Sequence, residues 1–197
     1  GLNIDAIDRL GDGGVTLCIT VDCGVRSTDE VAHARARGMD MIITDHHSVP
    51  DVLPDAIAVI DPKREDSTYA FRELAGVGVA YQVARALTNA LSNKGPQQND
   101  ALLDEYLDLV GLGTIADVVP LEGENRTLAR WGLNRMRSAA RPGLQELARV
   151  AGIELAAVSS TDVAYRIAPR LNAAGRIENA RIAYQLLLAR DGQQAAV

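Results

Sequence analysis

Two stretches of this chain end in the same way. "VTLCITVDCG" (15–24) and "MDMIITDHH" (39–47) are short, apolar, β-rich runs that stop in an acid, Asp22 in one and Asp45 in the other. Between them, "STDE" (27–30) carries a Ser-x-x-Glu capping box from Ser27 to Glu30. A helix is predicted from there to about Arg37, closed by Gly38. Strand, helix, strand with nearly all-apolar strands predicts a parallel sheet covered on both faces. Ligands of open α/β sheets bind at the C-terminal ends of the strands. Neighbouring strands lie about 4.8 Å apart, so the two carboxylates can face one crevice. Taken singly, either acid reads equally well as a helix cap or a turn residue.

The other elements follow from punctuation. Asn3 can cap a short helix through Leu10, stopped by "GDGG" (11–14). "AIAVIDP" (56–62) predicts a third strand, ended by Pro62. Past Leu74 the pattern becomes helical: "LAGVGVAYQVARALTNAL" (74–91) has small residues where close backbone contact would need them. "NKGPQQND" (93–100) reads as a polar loop, and "ALLDEYLDLVGLG" (101–113) as a helix running into a glycine exit. "TIADVVPL" (114–121) reads as extended, 124–138 as an Arg-rich helix, and Pro142 as the first turn of a helix through Ala151. A final helix is predicted from about Glu178 to Arg190. The fold class is therefore α/β, a Rossmann-like parallel sheet with flanking helices, followed by a mainly helical part.

The 197 residues are 47% apolar and 23% charged, enough for a packed core. Net charge of −6 argues against a broadly basic nucleic-acid surface. It leaves room for clustered acids that bring positive charge in as metal. No run approaches the ~20 apolar residues of a membrane helix, and no signal peptide opens the chain. Cys18 and Cys23 fit neither a disulfide framework nor a zinc knuckle, and read as reduced cysteines of a cytoplasmic protein.

Two of the three histidines, His46 and His47, stand together after the second strand. Successive side chains of an extended segment point opposite ways, so one imidazole can reach the crevice while the other faces a different part of it. Mixed Asp/His sets suit manganese, iron or zinc. "GLGTIADVVPL" (111–121) adds a third acid, Asp117. Carboxylates brought close together repel unless cations separate them. Paired metals some 3.5–4 Å apart would polarise a phosphoryl group and generate hydroxide near neutral pH. In "PRLNAAGR" (169–176), Arg170 and Arg176 flank Asn172 and a small-residue turn, a pattern that can bind phosphate oxygens. The lone His33 reads as solvent-facing on the polar side of its helix.

The blocks VDCG (21–24), TDHH (44–47), LAGVGVAYQVARAL (74–87), GLGTIADVVPL (111–121) and PRLNAAGRI (169–177), in this order, resemble the RecJ family. These are single-strand-specific DNA exonucleases of the DHH phosphoesterase superfamily. The resemblance spans nearly the whole chain. It implies that Asp22 is a bridging metal ligand, His46 a ligand of one metal and Asp117 a further ligand. It also implies that His47 contacts the scissile phosphate and that Asp45 orients a histidine. Arg170, Asn172 and Arg176 would face the nucleic-acid path. The implied chemistry is hydrolysis of phosphodiester bonds from the 5′ end of single-stranded DNA with Mn2+ or Mg2+, in repair and recombination. Ser48-Val49-Pro50 after DHH departs from the Asn usual in the small oligonucleotide and cyclic-dinucleotide phosphodiesterases of the superfamily. Those enzymes, and a non-catalytic DHH-like scaffold, are the alternatives.

The resemblance also implies missing parts. An Asp-x-Asp-x-Gly element on a first strand is expected upstream of residue 1, and a C-terminal DHH-associated domain beyond Val197. Residues 1–151 are expected to be the phosphoesterase domain without that first strand, and 152–197 a helical segment leading toward the absent domain. As a fragment, the chain is expected to bind metal weakly and to show little or no exonuclease activity.

Overall fold

The computed structural model describes residues 1–177 and 180–195, with the side chains of all of these but 139 and 175–177. The chain forms two compact units, residues 1–90 and 91–197.

In the first unit, Asn3 caps α1 (Ile4–Asp12), its side chain accepting from the Ala6 N–H. Then come β1 (Leu17–Ile19), α2 (Thr28–Ala36), β2 (Asp40–Thr44), β3 (Ala58–Ile60) and α3 (Gly76–Leu91). The strands are parallel in the order β1-β2-β3, with Ile19 opposite Ile42 and Thr44 opposite Ile60. The expected α/β architecture is therefore present. Ile7, Val31, Ala34, Met39, Met41 and Ile43 form the core, which seats α1 and α2 against the central strand. Burying such side chains stabilises by roughly 1.5–3 kcal/mol each. β1 departs from the expected double coverage: Leu17, Ile19 and Val21 are about half exposed, and Cys18 alone of its residues packs against this core.

Two local expectations in this unit are corrected. Ser27 precedes α2 but makes no side-chain cap bond, because its φ of −96° and ψ of 56° lie outside the extended cap geometry. His33 is not solvent-facing. Its Nε2 lies 2.7 Å from Asp8 Oδ1, joining α2 to α1 beside the Arg37–Asp8 and Arg37–Asp12 pairs. The hydrogen bond with His33 chiefly lowers the Asp8 carboxyl below its ordinary value.

The second unit is helical among its described residues: α4 (Pro96–Leu103), α5 (Leu107–Ala116), α6 (Gly123–Ala139), α7 (Pro142–Ala151), α8 (Ser160–Asp162), α9 (Ala168–Ile177), α10 (Ala180–Leu188) and α11 (Gly192–Ala195). Pro96 starts α4 inside the segment read as a loop, a position where its missing N–H costs nothing. The "glycine exit" is no exit. α5 runs through Gly111 and Gly113 to Ala116, and a Cβ on Gly111 would stand 2.6 Å from Gly132 Cα of α6. The glycines let two helix backbones meet, so Thr114–Ala116 are helical rather than extended. "PRLNAAGR" is likewise not a turn but part of α9, entered through a π-helical segment at Val163–Ile167. Pro169 follows that π-helical segment, inside one continuous helical run from 160 to 177. Ser159 and Asp162 form a reciprocal capping box ahead of that segment.

Arg141 precedes α7 and binds the buried Asp108 through Nε (2.8 Å) and Nη2 (2.7 Å). The core of this unit includes Leu112, Ile115, Met136, Leu144, Val158, Val163 and Ile167.

Candidate metal centre

The parallel ladder continues beyond the strand ends. Thr20 N–H donates to Ile42 O and Asp22 N–H to Thr44 O, both at 2.9 Å. Asp45 N–H donates to Ile60 O at 3.0 Å. Asp22, Asp45 and Asp61 therefore follow β1, β2 and β3 at one rim. Asp22 adopts a φ of 65°, a left-handed conformation unusual outside glycine. Such strain persists where the surroundings over-determine it, often at functional sites.

Asp45 is 2% exposed and organises the loops around it. Its Oδ2 accepts from Val25 N–H at 3.0 Å. Its Oδ1 accepts from the backbone N–H of His46 (2.8 Å) and of His47 (3.2 Å) and lies 2.6 Å from His47 Nδ1. Burial pushes the Asp45 carboxyl up. The N–H of Val25, the His47 ring and the two histidine N–H groups outweigh it and hold the carboxyl below its ordinary value. An ionised Asp45 makes His47 Nδ1 the proton-bearing nitrogen, so Nε2 is left to act as acceptor, ligand or, in the imidazolium, second donor.

His46 is 6% exposed, and its Nε2 lies 3.0 Å from Asp22 Oδ1. The two imidazoles do not diverge as strand alternation predicts. Their ring centroids are 4.6 Å apart, tilted by 60°. The chain has left the strand at Thr44, and the Asp45 carboxylate gathers the next two residues around itself. One ligand atom from each of Asp22, His46 and His47 falls within 4.8 Å of the others. One carboxylate and two imidazoles suit a divalent transition ion, with the side chains of Asp22 and His47 half exposed toward solvent.

The rim holds one acid that sequence reading passed over. Asp61 is 4% exposed; its Oδ1 accepts from Lys63 N–H at 2.8 Å, and its Oδ2 is buried without a hydrogen bond. Burial raises its carboxyl, and the charge of Asp45 adds to the rise. The signal was available, since Asp61 ends the third apolar run as Asp22 and Asp45 end the first two. The following proline made it look like a mere stop. Burial raises the Cys23 thiol above its ordinary value, and the charges of Asp45 and Asp22 add to the rise.

The remaining predicted residues belong to the second unit. Asp117 ends α5, its N–H donating to Gly113 O at 3.0 Å. Val118 beyond it takes a φ of 61°, costly for a β-branched residue. Arg170 and Asn172 are exposed on α9, with Arg170 Nη1 donating to Arg166 O at 2.6 Å. The side chain of Arg176 lies outside the described residues.

A parallel sheet with carboxylates and imidazoles gathered at its rim defines an α/β fold with a candidate site for a divalent cation. Residues 3–114 match the model of the DHH family, N-terminal domain, and the chain belongs to that family. It is 44% identical over 195 residues to the single-stranded-DNA-specific exonuclease RecJ of Bacillus subtilis, covering 99% of this chain and 23% of that protein. To the Escherichia coli RecJ it is 42% identical over 193 residues, 95% of this chain and 33% of the relative. The chain thus spans a quarter to a third of these relatives. Among solved structures, an exonuclease RecJ bound to manganese superposes with a TM-score of 0.82 at 34% identity, over 100% of this chain and 47% of that one. RecJ from Thermus thermophilus in complex with Mn2+ gives 0.81 at 34% identity, over 99% and 28%.

Proposed function

We propose that the intact protein carrying this chain is a metal-dependent 5′→3′ exonuclease that hydrolyses single-stranded DNA in repair and recombination. The observation that carries this reading is the meeting of Asp22, His46 and His47 at the sheet rim. The similarity to single-strand-specific exonucleases supports it.

Asp22 and His46 would hold Mn2+ or Mg2+. The bound cation supplies Lewis-acid polarisation of the phosphodiester and a water of lowered pKa. The protein's own part is positional. Burial fixes the His46 ring, and its Nε2 already faces the Asp22 carboxylate. Asp45 keeps a proton on His47 Nδ1. His47 Nε2 would meet a non-bridging phosphate oxygen as imidazolium donor, or stand within reach of the cation as neutral ligand. Arg170, Asn172 and Arg176 would line the DNA path. Residues 1–151 would form the catalytic domain and 152–197 lead toward a further domain. Asp22, Asp45, His46, His47 and Asp117 are all present in the sequence, which weighs against a non-catalytic scaffold.

No helix among the described residues is long and apolar enough to cross a membrane. A cytoplasmic site of action is part of the same proposal.

The test uses the full-length protein with Mn2+ on single strands labelled at either end, beside duplex and cyclic dinucleotide. Nucleotide release from the 5′ end of the single strand alone is expected, reduced on the order of 100-fold or more in His46→Ala. Equal activity of wild type and His46→Ala overturns the site, and cleavage of the cyclic dinucleotide alone overturns the substrate.

A further inference from the structure

Gly76 is the first residue of α3 and is buried. A Cβ built on it overlaps Oδ1 of Asp22 and lies 2.6 Å from Asp22 Cγ and 3.0 Å from Asp22 Cβ. Real side chains do not tolerate such distances, so one partner would have to move.

Neither backbone can give way easily. Leu74 and Ala75, just before Gly76, are 1% and 0% exposed, and Ala75 O accepts from Val79 N–H at 3.0 Å as α3 begins. On the other side, Asp22 is tied by its N–H to Thr44 O at 2.9 Å. Two residues on, Gly24 stands with the space of its own absent Cβ filled by Ile43 Cδ1 at 3.1 Å. The group free to move is the half-exposed Asp22 carboxylate, and its Oδ1 is the atom 3.0 Å from His46 Nε2.

We propose that Gly76 is a positioning residue of the metal centre, the gap left by its missing side chain being the seat of the Asp22 carboxylate. The proposal rests on reading Asp22 and His46 as metal ligands. A methyl group at position 76 turns Asp22 Oδ1 away from His46 and separates two donors that must converge on one ion. Groups that orient ligands typically change metal affinity about 10–100-fold when altered, and a comparable loss is the expected effect.

The experiment is a Mn2+ titration by calorimetry of the full-length protein as wild type, Gly76→Ala, Asp22→Gly and the double variant, with Gly95→Ala as control. Gly95 has no heavy atom near its missing Cβ, and glycine suits the positive φ of residue 22. Thermal unfolding of the metal-free proteins runs in parallel. Gly76→Ala is expected to bind Mn2+ about 10–100-fold more weakly, Asp22→Gly to show a similar loss, and the double variant no further loss. Gly95→Ala should bind as wild type. Gly76→Ala should lower the melting temperature in the native background but hardly in the Asp22→Gly background, where the colliding oxygens are gone. Unchanged Mn2+ affinity in Gly76→Ala, with affinity lost in Asp22→Gly, overturns the proposal and leaves the centre standing. Equal destabilisation in both backgrounds shows a merely structural glycine and overturns it as well. Unchanged affinity in Asp22→Gly defeats the metal reading and this proposal with it, while the melting cycle still registers the contact.

Discussion

His46 Nε2 and Asp22 Oδ1 lie 3.0 Å apart, although they follow different strands and are joined by the whole of α2. Parallel strands bring them together, because each β-α unit returns the chain to the same rim. The ladder bonds from Asp22 to Thr44 and from Asp45 to Ile60 fix the register that makes the meeting possible.

Asp45 serves four N–H groups with two oxygens. Asp45→Asn keeps the shape but replaces one acceptor with a donor. It should destabilise by about 1–3 kcal/mol and release the His47 ring. Turnover by the full-length protein should fall on the order of 10–100-fold. Urea unfolding and single-strand digestion measure the two effects.

The lowered carboxyl of Asp45 has a pH consequence. A depressed folded value means stability that is present above the unfolded value, about 3.9, and lost as pH falls through the folded one. Acid unfolding followed by circular dichroism should show this loss in the wild type. In Asp45→Asn the acid limb should be shallower.

Asp61 has the opposite sign. Its raised carboxyl contributes stability that is complete below the unfolded value and lost as pH rises through the folded one. Asp61→Asn retains an oxygen for Lys63 N–H and removes a charge beside Asp45. The metal-free variant should melt a few degrees higher than wild type at neutral pH. An unchanged or lower melting temperature contradicts the assignment of a buried, repelled charge.

The pair Asp108–Arg141 tests the second unit. Arg141 also donates to Leu187 O and Glu105 O, so one side chain ties three segments. Arg141→Ala strands a carboxylate that is 1% exposed and should cost roughly 3–5 kcal/mol. Replacing both partners with apolar residues, Asp108→Leu with Arg141→Met, should recover much of that loss. Chemical denaturation of the single and double variants reads the difference.

What the sequence revealed depended on whether local pattern or tertiary contact decided the outcome. The β-α-β unit was legible because alternation of strand and helix is written in neighbouring residues. The rim position of Asp22, Asp45 and His46 followed from it. Convergence of His47 with His46 was not legible, because the Asp45 carboxylate, not strand alternation, sets those rings. The polar segment around Pro96 hid a helix start. Gly111 looked like chain punctuation, yet its contact with Gly132 appears only when α5 and α6 pack. "PRLNAAGR" was read as holding a turn for its run of small residues, but helical context overrides them. Asp61 was masked by the proline after it, and the bond of His33 to Asp8 depends on how α1 meets α2.

The central claim is that Asp22 and His46 hold one divalent cation beside His47. Crystals of the full-length protein grown with Mn2+, measured at the manganese absorption edge, test it directly. The account predicts an anomalous peak within bonding distance of an Asp22 carboxylate oxygen and the His46 ring. A peak elsewhere, with these side chains unligated, would contradict it.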